Sequence, residues 1–150
     1  MKRIMATAAT LLAIGASPAL AEVIEVDMWT RSPDGENNVF GPELIEAELG
    51  DTIRFLPTDP GHNAQSVQGA VPDGQEPFRG RINQEVEYEI TEPGLTAVIC
   101  LPHQGVGMVA LVVAGDDVSN AEAIREARIP GRGGQKIETL VDEAVEAVEG

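Results

Sequence analysis

The sequence predicts an all-β domain: a Greek-key sandwich of two sheets with about eight strands, followed by two C-terminal α-helices. Three observations carry this. Short segments of alternating polarity recur with turn residues between them. No helical period separates those segments, which argues for an antiparallel two-sheet sandwich over a doubly wound α/β sheet. Only beyond residue 118 does the apolar period change from two to between three and four.

The elements follow in order. From Val23, the residues Ile24, Val26 and Met28 alternate with Glu25 and Asp27. From Asp51, Ile53 and Phe55 alternate with Thr52 and Arg54, and the segment from Glu85 places Val86, Tyr88 and Ile90 on one face. Each reads as a half-buried strand. "LTAVIC", ending at Cys100, and "MVALVVAG", starting at Met108, are continuous apolar runs, the pattern of strands covered on both faces. Turns are marked at Pro33-Asp34-Gly35, Gly50-Asp51, Pro72-Asp73-Gly74 and Pro93-Gly94. In the tail, Ser119 and Glu122 have the spacing of a capping box opening a helix, which Pro130, Gly131, Gly133 and Gly134 are expected to stop. A second helix carries Ile137, Leu140, Val141, Ala144, Val145 and Val148 as one stripe, expected to pack on the sandwich. Its opposite face is acidic, which anionic lipid would repel.

The first 21 residues have a different character. Lys2 and Arg3 precede the apolar run "LLAIGASPAL", which leads into the small-residue site Ala19-Leu20-Ala21. This is the layout of a secretory signal over residues 1–21, with cleavage expected before Glu22 and one domain left over 22–150. Within it, 22–116 is expected to form the sandwich and 119–149 the helical tail. The run is too short to span a bilayer and no later segment does so, so no membrane insertion is expected. The expected location is outside the cytoplasm, in the periplasm of a Gram-negative cell, with the domain a monomer.

The formal net charge is −15, and loss of Lys2 and Arg3 takes it to −17. Such a chain does not bind nucleic acid by charge. The acids are scattered along every segment and Lys136 is the only lysine after the signal, so the pattern is one of a solvated acidic surface. A salt-rich habitat would account for it, with folding weaker in dilute buffer.

The chemistry gathers around the one cysteine. A single thiol cannot form an internal disulfide, so Cys100 is an inert buried thiol, a link to another chain, a nucleophile or a metal ligand. His103 follows three residues later and Met108 eight later; His62 is the other histidine of the chain. Two imidazoles, a thiolate and a thioether make the ligand set of a trigonal copper centre, because soft sulfur holds Cu(I) and imidazole suits both oxidation states. A tight loop through Pro102 and Gly105, between the two apolar strands, would bring Cys100, His103 and Met108 around one point. His62, in the loop after another strand, can complete the set. A cysteine hydrolase would also need an oxyanion hole and an orienting group, neither of which is marked in the sequence. An enzyme of the multicopper type needs more histidines, and Ile99 before Cys100 leaves no bridge to a second centre. No enzyme is expected, with the cysteine hydrolase kept as a rival that alkylation by iodoacetamide in the metal-loaded protein would favour. Copper storage or delivery uses the same ligands and stays open beside electron transfer; a carrier should yield its metal readily to a chelator.

With these residues in place, the chain resembles the pseudoazurins, small blue-copper proteins of the cupredoxin fold. The resemblance spans "GDTIRFLPTDPGHN", the 38-residue step from His62 to Cys100, the C-x-x-H-x-x-x-x-M loop, "MVALVVAGD" and the two terminal helices. It implies one copper ion, cycling between Cu(II) and Cu(I), on His62, Cys100, His103 and Met108. It further implies a one-electron shuttle in the periplasm that often serves denitrification, with copper nitrite reductase as the candidate acceptor and a periplasmic cytochrome as donor. In the family the residue at Asn63 ties the two ligand loops together and offers its backbone N–H to the cysteine sulfur. Pro102 has no N–H to add there, so Pro102→Ala is expected to raise the reduction potential; the same position also stiffens the turn. His103 is expected to be the electron port, inside an apolar docking patch of Leu56, Pro57, Leu101, Pro102 and Val106. The family's ring of lysines is thin here: Pro60 and Ile99 stand where lysines are common, leaving Arg31, Arg79 and Arg81, and Leu101 stands where a threonine is usual.

Overall fold

The computed structural model describes residues 20–150; the expected signal segment lies outside the described residues save for its last two positions. Eight strands form, β1 (Val23–Arg31), β2 (Asn37–Gly41), β3 (Leu44–Ala47), β4 (Thr52–Leu56), β5 (Gln65–Ser66), β6 (Val86–Glu89), β7 (Gly94–Ile99) and β8 (Val109–Ala114). Two helices follow, α1 (Ala121–Arg125) and α2 (Gly131–Glu149). The strands divide into two four-stranded sheets, ordered β2-β1-β4-β6 and β3-β8-β7-β5.

The sheets are mixed, where the sequence suggested antiparallel pairing. β1 runs parallel to β4, Ile24 opposite Ile53 and Val26 opposite Phe55, and β3 runs parallel to β8. The alternation of Ile24, Val26 and Met28 fits either direction, since period two reports which face is covered and says nothing of the neighbour's sense.

β7 and β8 are buried at every position, as continuous apolar runs require. Alternate residues serve two cores. Val98, Ala110, Val112 and Ala114 face the other sheet with Val26, Met28, Phe40, Ile53 and Phe55. Leu95, Ala97, Ile99, Val109, Leu111 and Val113 face the helices, meeting Ile124, Ile137, Leu140, Val141 and Ala144. Four aromatic rings run through the first core: Phe40 meets Phe55 edge-on, Phe55 stacks on Phe78, and Phe78 lies 4.5 Å from Tyr88. The Tyr88 hydroxyl, on β6, hydrogen-bonds Thr96 Oγ1 on β7 at 3.0 Å, a buried polar tie between the sheets.

The tail departs from expectation at two points. Asn120, and not Ser119, precedes α1, and no side chain caps the helix. The Asn120 amide is turned to β7 instead, where Leu95 N–H donates to its Oδ1 and its Nδ2 donates to the Leu95 carbonyl, both at 2.8 Å. The glycine run does not end a helix, because α1 stops at Arg125 and Gly131, Gly133 and Gly134 form the first turn of α2. The reason is proximity. A Cβ on Gly133 would lie 2.2 Å from the Gln104 carbonyl oxygen, and one on Gly131, at φ +62°, would lie 2.5 Å from that of Gly105.

Candidate metal centre

The site sits where β7 ends and β8 begins. Three backbone bonds shape the loop between them: His103 N–H to the Cys100 carbonyl at 3.0 Å, Met108 N–H to the His103 carbonyl at 3.1 Å, and Cys100 N–H to the Met108 carbonyl at 3.1 Å. A 3-10 turn, Gln104–Val106, fills the middle, and Gly107 leaves it at φ +106°, a conformation that favours glycine. Cys100 and Met108 are therefore held face to face by two buried strands, and both are fully covered.

His62 arrives from the loop after β4, where Asn83 N–H donates to its carbonyl at 2.9 Å. Its Nδ1 lies 3.1 Å from His103 Nδ1 and 3.7 Å from Cys100 Sγ; His103 Nδ1 lies 3.4 Å from the same sulfur. Among the described residues this is the one cluster of three or more such ligand groups, its ligand atoms all within 4.8 Å of one another. The centre of a triangle with those sides is about 2.0 Å from each corner, the range of bonds from imidazole nitrogen to a first-row metal. The donor set fits copper: two ring nitrogens and one sulfur surround a single point, and buried Met108 is bonded through its backbone to the cysteine.

The electrostatics favour a neutral imidazole at His62. Burial first, then the neighbouring His103, pushes the His62 pKa down, against a smaller opposing pull from Asp59. Burial pushes the Cys100 thiol up, while the backbone N–H groups of Asn63 and His103 oppose the rise by favouring the thiolate. Two residues orient the ligands. The Thr30 hydroxyl lies 2.9 Å from His62 Nε2, where it can accept from a protonated Nε2, the tautomer that leaves the Nδ1 lone pair for a metal. Asn63 Oδ1 accepts from Leu101 N–H at 2.7 Å, and its Nδ2 donates to the Gly80 carbonyl and Gln65 Oε1, both at 3.1 Å. The tie between the ligand loops runs through the Leu101 backbone, so leucine in place of the family's threonine leaves that bond intact.

The remaining sequence candidates are spread around the loop. His103 is half-buried, Leu101 is 45% exposed and Val106 50%, and Pro102 is exposed in the turn closed by His103 N–H. Leu56 and Pro57 are half-buried at the end of β4. Arg79 and Arg81 share a shallow cleft with Leu101, Asn63 and Ile82, whereas Arg31 leans toward Asn37. Sequence reasoning missed Thr30, Gln65 and Ile82. No local motif marks them, because each meets the site from outside the cysteine loop and is an ordinary residue in its own segment.

A model of copper binding proteins of the plastocyanin/azurin family matches residues 26–115. A pseudoazurin of Paracoccus pantotrophus is 41% identical over 133 residues, covering 89% of this chain and 90% of the relative. The chain belongs to the pseudoazurin family. Another pseudoazurin, of Methylorubrum extorquens, is 41% identical over 125 residues, 82% of this chain and 84% of that one. The crystal structure of the native pseudoazurin of Hyphomicrobium denitrificans superposes with a TM-score of 0.75 at 34% identity, covering 81% of this chain and 97% of that one. The fold is that of the cupredoxins. As a pseudoazurin-family member the chain is a type 1 copper electron-transfer protein and not an enzyme.

Proposed function

We propose that His62, Cys100, His103 and Met108 hold one copper ion, and that the chain, exported and cleaved before Glu22, shuttles single electrons between redox proteins in the periplasm. The candidate acceptor is a copper nitrite reductase and the candidate donor a periplasmic cytochrome, with the shuttle a monomer over 22–150. The observation that carries this is the convergence of both histidines and the one cysteine of the chain on a single point.

Bound copper supplies the one-electron couple between Cu(II) and Cu(I). What the protein contributes is a frame that holds the ligands still through the change. Cys100 and Met108 are fixed by the ends of β7 and β8, His62 by Thr30 and the backbone of Asn83, and the two loops by Asn63. The backbone N–H of Asn63 stabilises the sulfur as an anion, which tunes the potential. His62 is 1% exposed, so the half-buried ring of His103 is the route out, framed by Leu101, Pro102 and Val106, with Leu56 and Pro57 completing the proposed docking patch. A small apolar surface of this kind suits a partner that must leave after each transfer.

The test is a visible spectrum of the copper-loaded protein before and after ascorbate, beside that of Cys100→Ser. An intense band near ~600 nm that bleaches on reduction and is lost in the variant is the expected result. No band, with copper surrendered quickly to a chelator, would overturn the shuttle in favour of a carrier.

A further inference from the structure

The loop that carries His103 and Met108 lies against more than the two strands it joins. Its backbone is pressed on by the first turn of α2, at a distance that only glycine permits. An added Cβ on Gly133 would meet the Gln104 carbonyl oxygen at 2.2 Å, and also Val109 Cγ1 at 3.1 Å. The same carbonyl accepts from Gly107 N–H at 3.1 Å, closing the turn that delivers Met108. On the other side of this contact, Gly107 faces the stems of Arg132 and Lys136. The helix has its own anchorage: Ile137, Leu140, Val141 and Ala144 are buried on the outer face of β7 and β8. It is therefore a fixed wall, and the loop is shaped against it.

We propose that Gly133 is a positioning residue for the metal centre: through the Gln104 carbonyl it sets where His103 and Met108 stand, although no hydrogen bond joins α2 to the proposed ligands. The inference rests on the copper site proposed above. It makes α2 part of the electron-transfer apparatus in addition to its part in the core.

Gly134 provides the comparison. It stands in the same turn, but a Cβ there would meet the Ile129 carbonyl at 2.6 Å and nothing of the ligand loop. Gly133→Ala and Gly134→Ala should both lower the melting temperature of the metal-free protein. Of the two, only Gly133→Ala should change the intensity ratio of the sulfur-to-copper absorption bands and shift the reduction potential of the loaded protein. Equal spectra and potentials in wild type and Gly133→Ala, or equal shifts in both variants, would overturn the proposal. A colourless wild type would instead overturn the copper reading itself.

A second measurement needs neither copper nor an overpacked variant. Val141→Ala loosens the middle of α2, about two turns beyond Gly133. Amide hydrogen exchange in the metal-free protein should then speed up severalfold at Gly107 and Met108 together with the amides of α2. Wild-type protection at Gly107 and Met108, with α2 alone loosened, would show that the strands hold the loop unaided and would sink the proposal.

Discussion

Thr30 does for His62 what Asn63 does for the cysteine loop: each uses one polar side chain to choose the direction of a ligand. A hydroxyl on Nε2 holds the ring in place, so Thr30→Val should weaken copper binding about 10- to 100-fold in competition with a chelator, while the fold remains. An unchanged affinity would show that the loop alone orients His62. Asn63 is nearly fully buried and satisfies Leu101 N–H and the Gly80 carbonyl at once. Asn63→Ala leaves both without a partner, and unfolding of the metal-free protein by denaturant should show a loss of about 2 kcal/mol or more. The proposed ligands could be picked out in the sequence, because Cys100, His103 and Met108 share one loop and the chain has only one other histidine. Thr30 is not, since it lies 32 residues from its partner and a threonine in a strand is ordinary there.

Among the elements, those covered on both sides read most plainly. β7 and β8 are apolar at nearly every position because one set of alternate residues meets a sheet and the other meets helices. β2, β3 and β5 leave weaker marks: β2 buries the adjacent pair Val39 and Phe40 in place of an alternating set, β3 alternates over only Ile45 and Ala47, and β5 is two residues long. The glycine turn of α2 misleads because glycine near a helix usually signals its end, whereas here a tertiary contact requires it inside. Lys136 on α2 also pairs with Glu43, just before β3, and that pair has a pH dependence. Burial raises the Glu43 pKa above its usual 4.5, outweighing the pull of Lys136. A raised carboxyl binds its proton more tightly in the folded state. Its contribution is therefore full below the unfolded pKa and is lost as pH climbs from about 4.5 through the folded value. Glu43→Gln removes this loss, so its stability relative to wild type should improve as pH rises through that window. A difference between the two that stays constant with pH would refute the assignment.

For the molecule as a whole, charge is the dominant long-range property. Arg54 alone faces Glu25, Glu85 and Glu87 on the outer side of the first sheet, which raises its pKa, chiefly through the hydrogen bond to Glu87, and leaves acid in excess even there. With a formal net charge of −15, the melting temperature should rise as sodium chloride is added to a dilute buffer. Indifference to salt would mean that the carboxylates are far enough apart to ignore one another.

Asn120 has a consequence for how copies of the chain behave toward one another. β5 pairs with only Val98 and Ile99 of β7, leaving the rest of that strand's flank without a strand beside it. An apolar strand with free backbone groups is a template for pairing with another copy. Here the Asn120 amide occupies both backbone groups of Leu95, while Val67 and Ala70 take the carbonyl and the N–H of Ala97. A single side chain thus imitates part of a neighbouring strand and, with Val67 and Ala70, keeps this apolar strand from propagating its sheet into the next molecule.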